Sequence, residues 1–245
     1  MTALGVKNLN KEYKSFSLNN VSFDVPLGSI TGFIGRNGAG KTTTLKAILG
    51  LVAKTSGEIT FFDKDISENE LYFKQNIGVV LGGIDFYKKK KLKTITAVTK
   101  SFYPNWDDEK YKHYLTVFSL DENKRVDELS AGMRVKYLIA LALSHNAKLL
   151  ILDEPTSGLD PVSRDELVEL FRAIVKDKTR TILFSTHITS DLQKCASDIV
   201  FIKDGNILHS GSIESFTEKY KDKGETLEDI IVSVERREFD ESIII

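Results

Sequence analysis

The residues with the clearest chemistry lie in GRNGAGKTT, Gly35 to Thr43, which satisfies the pattern G-x-x-x-x-G-K-[ST]. Glycines in such a loop let successive backbone N–H groups turn inward around phosphate oxygens. The start of a following helix adds a modest attraction for the same anion. Gly35, Asn37, Gly38, Ala39, Gly40, Lys41, Thr42 and Thr43 are therefore the candidate nucleotide-binding residues. Lys41 is expected to reach the β and γ phosphates, and Thr42 to help hold Mg²⁺. The plainer alternative is a glycine-rich turn between a strand and a helix. KLLILDEP, Lys148 to Pro155, argues against it by bringing Asp153 and Glu154 to the end of a second apolar strand. An aspartate there holds Mg²⁺ directly or through water, and a glutamate polarises the attacking water. Paired acids after a strand can simply cap the next turn. Beside a phosphate loop they read as a nucleoside triphosphate site.

These residues need a strand before the loop and a helix behind it. SITGFIG (Ser29 to Gly35) supplies the strand, and the helix is expected from Lys41 to about Leu51, with Leu45, Ile48, Leu49 and Val52 forming its apolar face. Residues 1–40 otherwise read as short strands and turns, including VSFDV (Val21 to Val25). GEITFFDKD (Gly57 to Asp65) is a further strand and turn, and IGVVLGG (Ile77 to Gly83) a buried strand. From about 85 to 145 the periodicity is helical. Asn105 is expected to cap a helix carrying Trp106, Tyr111, Tyr114, Leu115 and Phe118, because Asp108 follows three residues on. A second helix is expected over Met133 to Leu143, a third over Pro161 to Val175, then the strand TRTILFSTH (Thr179 to His187) and an edge hairpin turning at Asp204-Gly205. The expected architecture is α/β: a P-loop core with an inserted α-helical lobe at about 85–145 and an N-terminal antiparallel β portion. One domain spans 1–245, with a short tail from about 214 that ends in Ile243, Ile244 and Ile245. Those isoleucines either pack on the domain or a partner, or fray.

Phosphate loops also serve kinases and GTPases, so the remaining motifs narrow the reading. LSAGM (Leu129 to Met133), SGLD (Ser157 to Asp160) and His187 follow in order, with Tyr13 upstream. Singly each has a modest explanation: Tyr13 as packing, Ser130 as a helix cap, His187 as a local hydrogen bond. As an ordered set they resemble the ATP-binding subunits of ABC transporters over nearly the whole chain.

The resemblance implies ATP and Mg²⁺ as cofactors, with Thr42 and Asp153 on the metal. It implies that Tyr13 stacks on adenine, and that Lys41, Ser130, Gly132, Glu154, Asp160 and His187 form the catalytic set of an ATPase. In that family the nucleotides are sandwiched in a homodimer or a heterodimer with a related subunit. The LSAGM loop closes over the γ-phosphate held by the opposite subunit, Asp160 helps position the partner's attacking loop, and His187 orients Glu154 and water. The expected partner is a separate multi-helix transmembrane subunit, with this chain peripheral on the cytoplasmic side of the membrane. FYPNWD (Phe102 to Asp107), LSAGM and the compact tail look similar to the YtrB-like branch, which implies export. Two departures stand out. Ala131 replaces the commoner glycine, and Gly82 matches the place where the family carries a glutamine near Mg²⁺ and water. Gln75 is the other candidate for that glutamine.

Composition agrees with a folded protein and excludes little else. Of 245 residues, 41% are hydrophobic and 28% charged, and 35 acids against 34 bases give a net charge of -1. That balance offers no electrostatic reason to expect direct nucleic-acid binding. The single cysteine, Cys195, cannot form an internal disulfide. The N-terminus lacks a secretion signal, and no apolar run reaches the ~18 residues of a membrane span. Lys88 to Lys91 and Lys93 form a basic run that either meets acidic loops or anionic headgroups, or is a solvated face. Two other function classes stay open: a soluble ABC-type ATPase remodelling a nucleic-acid or ribosomal partner, and a weakly hydrolytic nucleotide-binding regulator. Too few residues separate Lys41 from Ser130 for the long coiled coil usual in repair proteins, only one motif set is present, and Glu154 and His187 favour turnover.

Overall fold

Burial runs unbroken through three short strands: β3 (Ile30–Ile34), β7 (Leu149–Asp153) and β8 (Thr181–Thr186). Strands that are apolar on both faces belong in a parallel sheet covered on both sides, and these three lie side by side and parallel. With β6 (Ile77–Leu81), β9 (Asp198–Lys203) and β10 (Asn206–Ser212) they make a six-stranded sheet of order β10-β9-β3-β8-β7-β6. The computed structural model describes residues 1–81 and 87–236. A second, antiparallel sheet of order β2-β1-β4-β5 contains β1 (Thr2–Glu12), β2 (Ser17–Pro26), β4 (Ser56–Phe61) and β5 (Lys64–Asp65).

Alternation along the central strands sorts their side chains into two cores. Leu149, Ile151 and Leu183 join Phe33, Leu45, Ile48, Val6 and Phe23 on one face, so the helix α1 (Lys41–Ile48) is packed between the two sheets. Leu150, Leu152, Ile182 and Phe184 join Tyr137, Ile139 and Phe171 on the other, which is covered by α5 (Ala131–Ser144) and α6 (Pro161–Val175). The α/β class, the P-loop core and the N-terminal antiparallel sheet agree with the sequence. The strands at the N-terminus are longer than expected, β1 having 11 residues and β2 having 10.

Several boundaries differ for identifiable reasons. The helix expected to reach Leu51 ends at Ile48, because Gly50 takes φ 69° and closes the helix. Leu51 N donates to Lys46 O and Gly50 N to Ala47 O, the double bond pattern of a left-handed glycine stop. The strand and turn expected over Gly57–Asp65 are β4 and a turn at Phe62 and Asp63, both with positive φ, after which the two residues of β5 pair back on β4. Asn105 does not cap the next helix. Asp107 does, accepting from Lys110 N at 2.9 Å, and α4 runs Asp108–Val117.

The helices between β6 and β7 are α3 (Leu92–Lys100), α4 and α5. One buried hydroxyl joins all three: Thr96 Oγ1 lies 2.8 Å from both Tyr111 and Tyr137, and Tyr137 OH donates to Leu92 O. The lysines at 88–91 and 93 are exposed, and their backbone pairs with residues 122–127. The edge hairpin turns at Asp204 and Gly205 as expected, with φ 46° and 76°. Beyond it lie α8 (Ile213–Lys219) and α9 (Leu227–Glu235), the latter burying Leu227 and Ile230. Gly82 and Ile243 to Ile245 lie outside the described residues. Among the described residues no helix is long and apolar enough to cross a membrane.

Candidate active site

The site forms where parallel strands end, the place in an open α/β sheet where ligands bind. β3 runs into the glycine loop, β7 ends on Asp153, and β8 ends one residue before His187. Within the loop Gly38 and Gly40 take φ 86° and 116°. A Cβ at Gly40 would lie 2.8 Å from Leu18 Cδ2 and from Phe16 Cζ, so this position accepts only glycine. Ala39, Asn37 and Thr43 complete the loop and the first turn of α1 around it.

Lys41 opens α1 and is 5% exposed. Its Nζ donates to Gly35 O at 2.6 Å and Arg36 O at 3.3 Å, folding the side chain back over its own loop. It also stands 3.2 Å from Glu154 Oε1, an ionic contact without hydrogen-bond alignment. Thr42 Oγ1 donates to Asp153 Oδ2 at 2.9 Å. The other aspartate oxygen accepts from Ser185 Oγ at 2.6 Å. Glu154 takes φ 50°, uncommon for a residue with a side chain. Its amide donates to Ser185 Oγ at 2.9 Å and to Ser185 O at 3.2 Å, and its Oε2 lies 2.8 Å from His187 Nδ1. Glu154 thus contacts both Lys41 and His187, Thr42 contacts Asp153, and Ser185 joins the two sets.

The other expected site residues stand elsewhere. Tyr13 opens the turn between β1 and β2, where its amide donates to Phe16 O. Its ring is half-exposed with Lys11 Nζ 5.0 Å from the centroid, and Phe16 brings the turn against the glycine loop. Ser130 caps α5, accepting from Met133 N at 3.2 Å, and Asp160 caps α6, accepting from Val162 N and Ser163 N. The Ser163 hydroxyl and amide hold the Asp160 carboxyl below the ordinary range. Ser130 and buried Gly132 line an open groove of about 710 Å³ with Ser163 and Glu166 of α6, a groove that none of the clustered residues lines. Gln75 ends α2 (Glu70–Gln75), just before β6. Since β6 pairs Ile77 with Leu149 and Leu81 with Asp153, Gln75 sits at the opposite end of the sheet from Asp153. It therefore does not supply the missing glutamine.

Three participants escaped the sequence reading. Ser185 bonds both acidic residues, yet a serine in TILFST reads as an ordinary strand residue. Thr156 Oγ1 donates to Asp191 Oδ2 at 2.7 Å with both residues buried, joining the segment after Glu154 to α7 (Thr189–Cys195). Glu235 of α9 accepts from Arg36 N at 3.4 Å, so the last described helix touches the glycine loop.

A sequence profile described as "ABC transporter" matches residues 18–157. The chain is an ATP-binding subunit of the ABC transporter family. It is 36% identical over 236 residues to the lantibiotic transport ATP-binding protein SrtF of Streptococcus pyogenes, covering 93% of this chain and 95% of that protein. It is 30% identical over 203 residues to the ABC transporter ATP-binding protein YtrB of Bacillus subtilis, covering 83% of this chain and 69% of that one. A solved ATP-binding subunit of an ABC transporter superposes with a TM-score of 0.83 at 26% identity, covering 96% of this chain and all of the other. The higher identity to SrtF leaves the ABC subunit's branch within the family unassigned.

The family's nucleotide and Mg²⁺ fit the residues present. In the glycine loop the Cβ direction of Gly38 meets nothing within 4 Å, which leaves room beside the loop for a ligand. Glu154 Oε1 is buried without a hydrogen bond. Among the described residues no cluster of three or more acidic, histidine or cysteine side chains would hold a metal alone. Mg²⁺ is commonly held by one or two protein oxygens together with substrate phosphates. Thr42 Oγ1 and Asp153 Oδ2, 2.9 Å apart, are the two oxygens that would hold it here.

Proposed function

We propose that the chain binds ATP with Mg²⁺ and hydrolyses it to drive a separate multi-helix membrane subunit, most simply an exporter. The cluster of Lys41, Asp153, Glu154 and His187 carries this reading. Mg²⁺ would be held by Thr42 and Asp153 and would neutralise phosphate charge. Lys41 exchanges its two loop carbonyls for phosphate oxygens, which frees the carboxylate beside it. Glu154 accepts a proton from water, and His187 keeps that carboxylate aimed at the water. Tyr13 offers its ring to adenine on the face away from Lys11.

Ser130, Gly132 and Asp160 act on a second subunit. Ser130 and Gly132 line a groove that Lys41, Thr42, Asp153, Glu154 and His187 do not, and Ser163, whose amide Asp160 caps, lines it too, which supports a role across an interface, in a homodimer or with a related chain. Two helix starts at Ser130 and Asp160 present N–H donors there, and closure of two subunits would exclude water and complete the charge environment.

An apolar groove of about 490 Å³ runs between Leu51, Leu71, Leu81 and Phe102. Leu71 and Phe102 are 69% and 70% exposed. With no spanning helix among the described residues, this groove suits a cytoplasmic helix of the membrane subunit. The protein would then be peripheral on the cytoplasmic face. Export, and the YtrB-like branch, rest on the resemblance of FYPNWD and LSAGM. The deciding experiment combines phosphate release by purified protein with detergent co-purification of the native protein. Turnover together with a stoichiometric multi-helix partner supports the proposal; recovery with ribosomes or repair proteins and no membrane chain overturns it.

A further inference from the structure

β8 carries hydroxyls at its ends, and two of them accept from backbone amides. Thr181 Oγ1 accepts from Gly28 N, and Thr186 Oγ1 accepts from Ile188 N. Ser185 differs, because its hydroxyl reaches sideways into β7. The parallel register sets Ser185 opposite Asp153. A serine hydroxyl has one proton to donate and lone pairs to accept with. The proton goes to Asp153 Oδ1 at 2.6 Å, and a lone pair receives Glu154 N at 2.9 Å. One fully buried hydroxyl therefore bonds two consecutive residues whose carboxylates have separate tasks.

The geometry points to Ser185 as a positioning residue that sets both the metal-side carboxylate of Asp153 and the water-side carboxylate of Glu154. For Asp153, the bond to Oδ1 fixes the rotation of the carboxylate and leaves Oδ2 facing Thr42. For Glu154, the amide is gripped by the hydroxyl and carbonyl of the same residue while φ stands at 50°. A left-handed backbone at a residue with a Cβ persists only when its surroundings over-determine it. The Ser185 hydroxyl supplies the shorter of its two amide bonds, and from that backbone the side chain reaches His187 and Lys41. Without the hydroxyl, Asp153 Oδ1 loses its shortest donor and the amide keeps only the 3.2 Å contact.

This inference rests on the proposed hydrolytic function, and its test separates the two. The full chain is compared with S185A, S185C and S185T by the Mg²⁺ dependence of binding a fluorescent ATP analogue, by phosphate release, and by thermal unfolding. In S185A the half-saturating Mg²⁺ for binding is expected to rise at least fivefold. Its kcat should fall at least tenfold, with KM for ATP at saturating Mg²⁺ changing less than twofold. S185T, which keeps the hydroxyl, should recover Mg²⁺ dependence even if added volume lowers its unfolding temperature. S185C, a weaker donor of similar size, should fall between. An S185A or S185C protein with unaltered Mg²⁺ dependence, or an S185T protein as impaired as S185A, overturns the role. If the unmodified chain releases no phosphate, the hydrolytic function fails, while the binding measurement still decides Ser185.

Discussion

The carboxylate of Glu154 lies 2.8 Å from Nδ1 of His187. Its other oxygen is 3.2 Å from Lys41 Nζ, so the group that accepts a proton in the proposed reaction is held by two side chains. Glu154→Gln keeps the shape and removes the basicity. Phosphate release is expected to fall about 10²- to 10⁴-fold, the usual contribution of a positioned base, while equilibrium binding of ATP is retained. Loss of binding in parallel with loss of turnover would assign Glu154 a structural part instead.

Ser130 and the phosphate loop are predicted to act in different subunits of one site. S130R and K41A proteins should each be inactive alone. Mixed, they can form a dimer in which one site has an intact loop from one chain and an intact Ser130 from the other. Phosphate release should then reappear on mixing. Continued inactivity would exclude a site shared between two copies of this chain.

Thr156 and Asp191 form a buried hydrogen bond of 2.7 Å between segments far apart in sequence. Thr156→Val leaves a buried carboxylate without that donor, at a cost of about 1–3 kcal/mol. A double-mutant cycle with Asp191→Asn, read by urea unfolding, should give a coupling of about 0.5–3 kcal/mol. Additive effects would show that the pair contributes nothing as a pair.

His145 caps the end of α5, is 4% exposed, and stacks on Tyr103 with centroids 3.7 Å apart. Burial pushes its pKa down from 6.5 to about 4. Between those values the unfolded chain holds a proton that the folded chain refuses, so stability falls as pH drops through that window and is unaffected above it. At about 1.4 kcal/mol per pKa unit the full effect approaches roughly 3 kcal/mol. His145→Gln should flatten this acid-side slope in thermal unfolding between pH 7 and 4. An unchanged slope would place the sensitivity at other groups.

The Leu71 and Phe102 groove is predicted to hold the membrane subunit without taking part in chemistry. L71D together with F102D should abolish co-purification of that subunit. Phosphate release by the isolated protein should stay within about twofold, as expected for exposed substitutions away from special features. Retained co-purification would move the docking surface elsewhere.

The site was legible where chemistry imposes fixed residue types at fixed spacing. Gly40 admits nothing but glycine, and Lys41, Asp153 and Glu154 are spelled out by the strands and turns that deliver them. Ser185, Thr156 and Asp191 were not legible, because a hydroxyl in a strand or an acid in a helix acquires its meaning from a partner across the fold. Cap positions were ambiguous for a related reason. Asn105 and Asp107 are both capping types, and only the path of the chain into α4 selects Asp107. Gly50 was a readable stop signal that an amphipathic pattern continuing to Val52 obscured. Unbroken burial in the central strands followed directly from their apolar runs, so the strands were readable although their order in the sheet was not.

The left-handed backbone at Glu154 sets durability against work at a single position. Glycine there would relax the chain by roughly 1–2 kcal/mol, making a sturdier protein without the proposed base. A selection for heat tolerance alone would favour that exchange, and one for turnover would reverse it. A consensus drawn from thermostable variants would therefore mislead at this residue, and libraries screened for soluble expression should hold Glu154 constant.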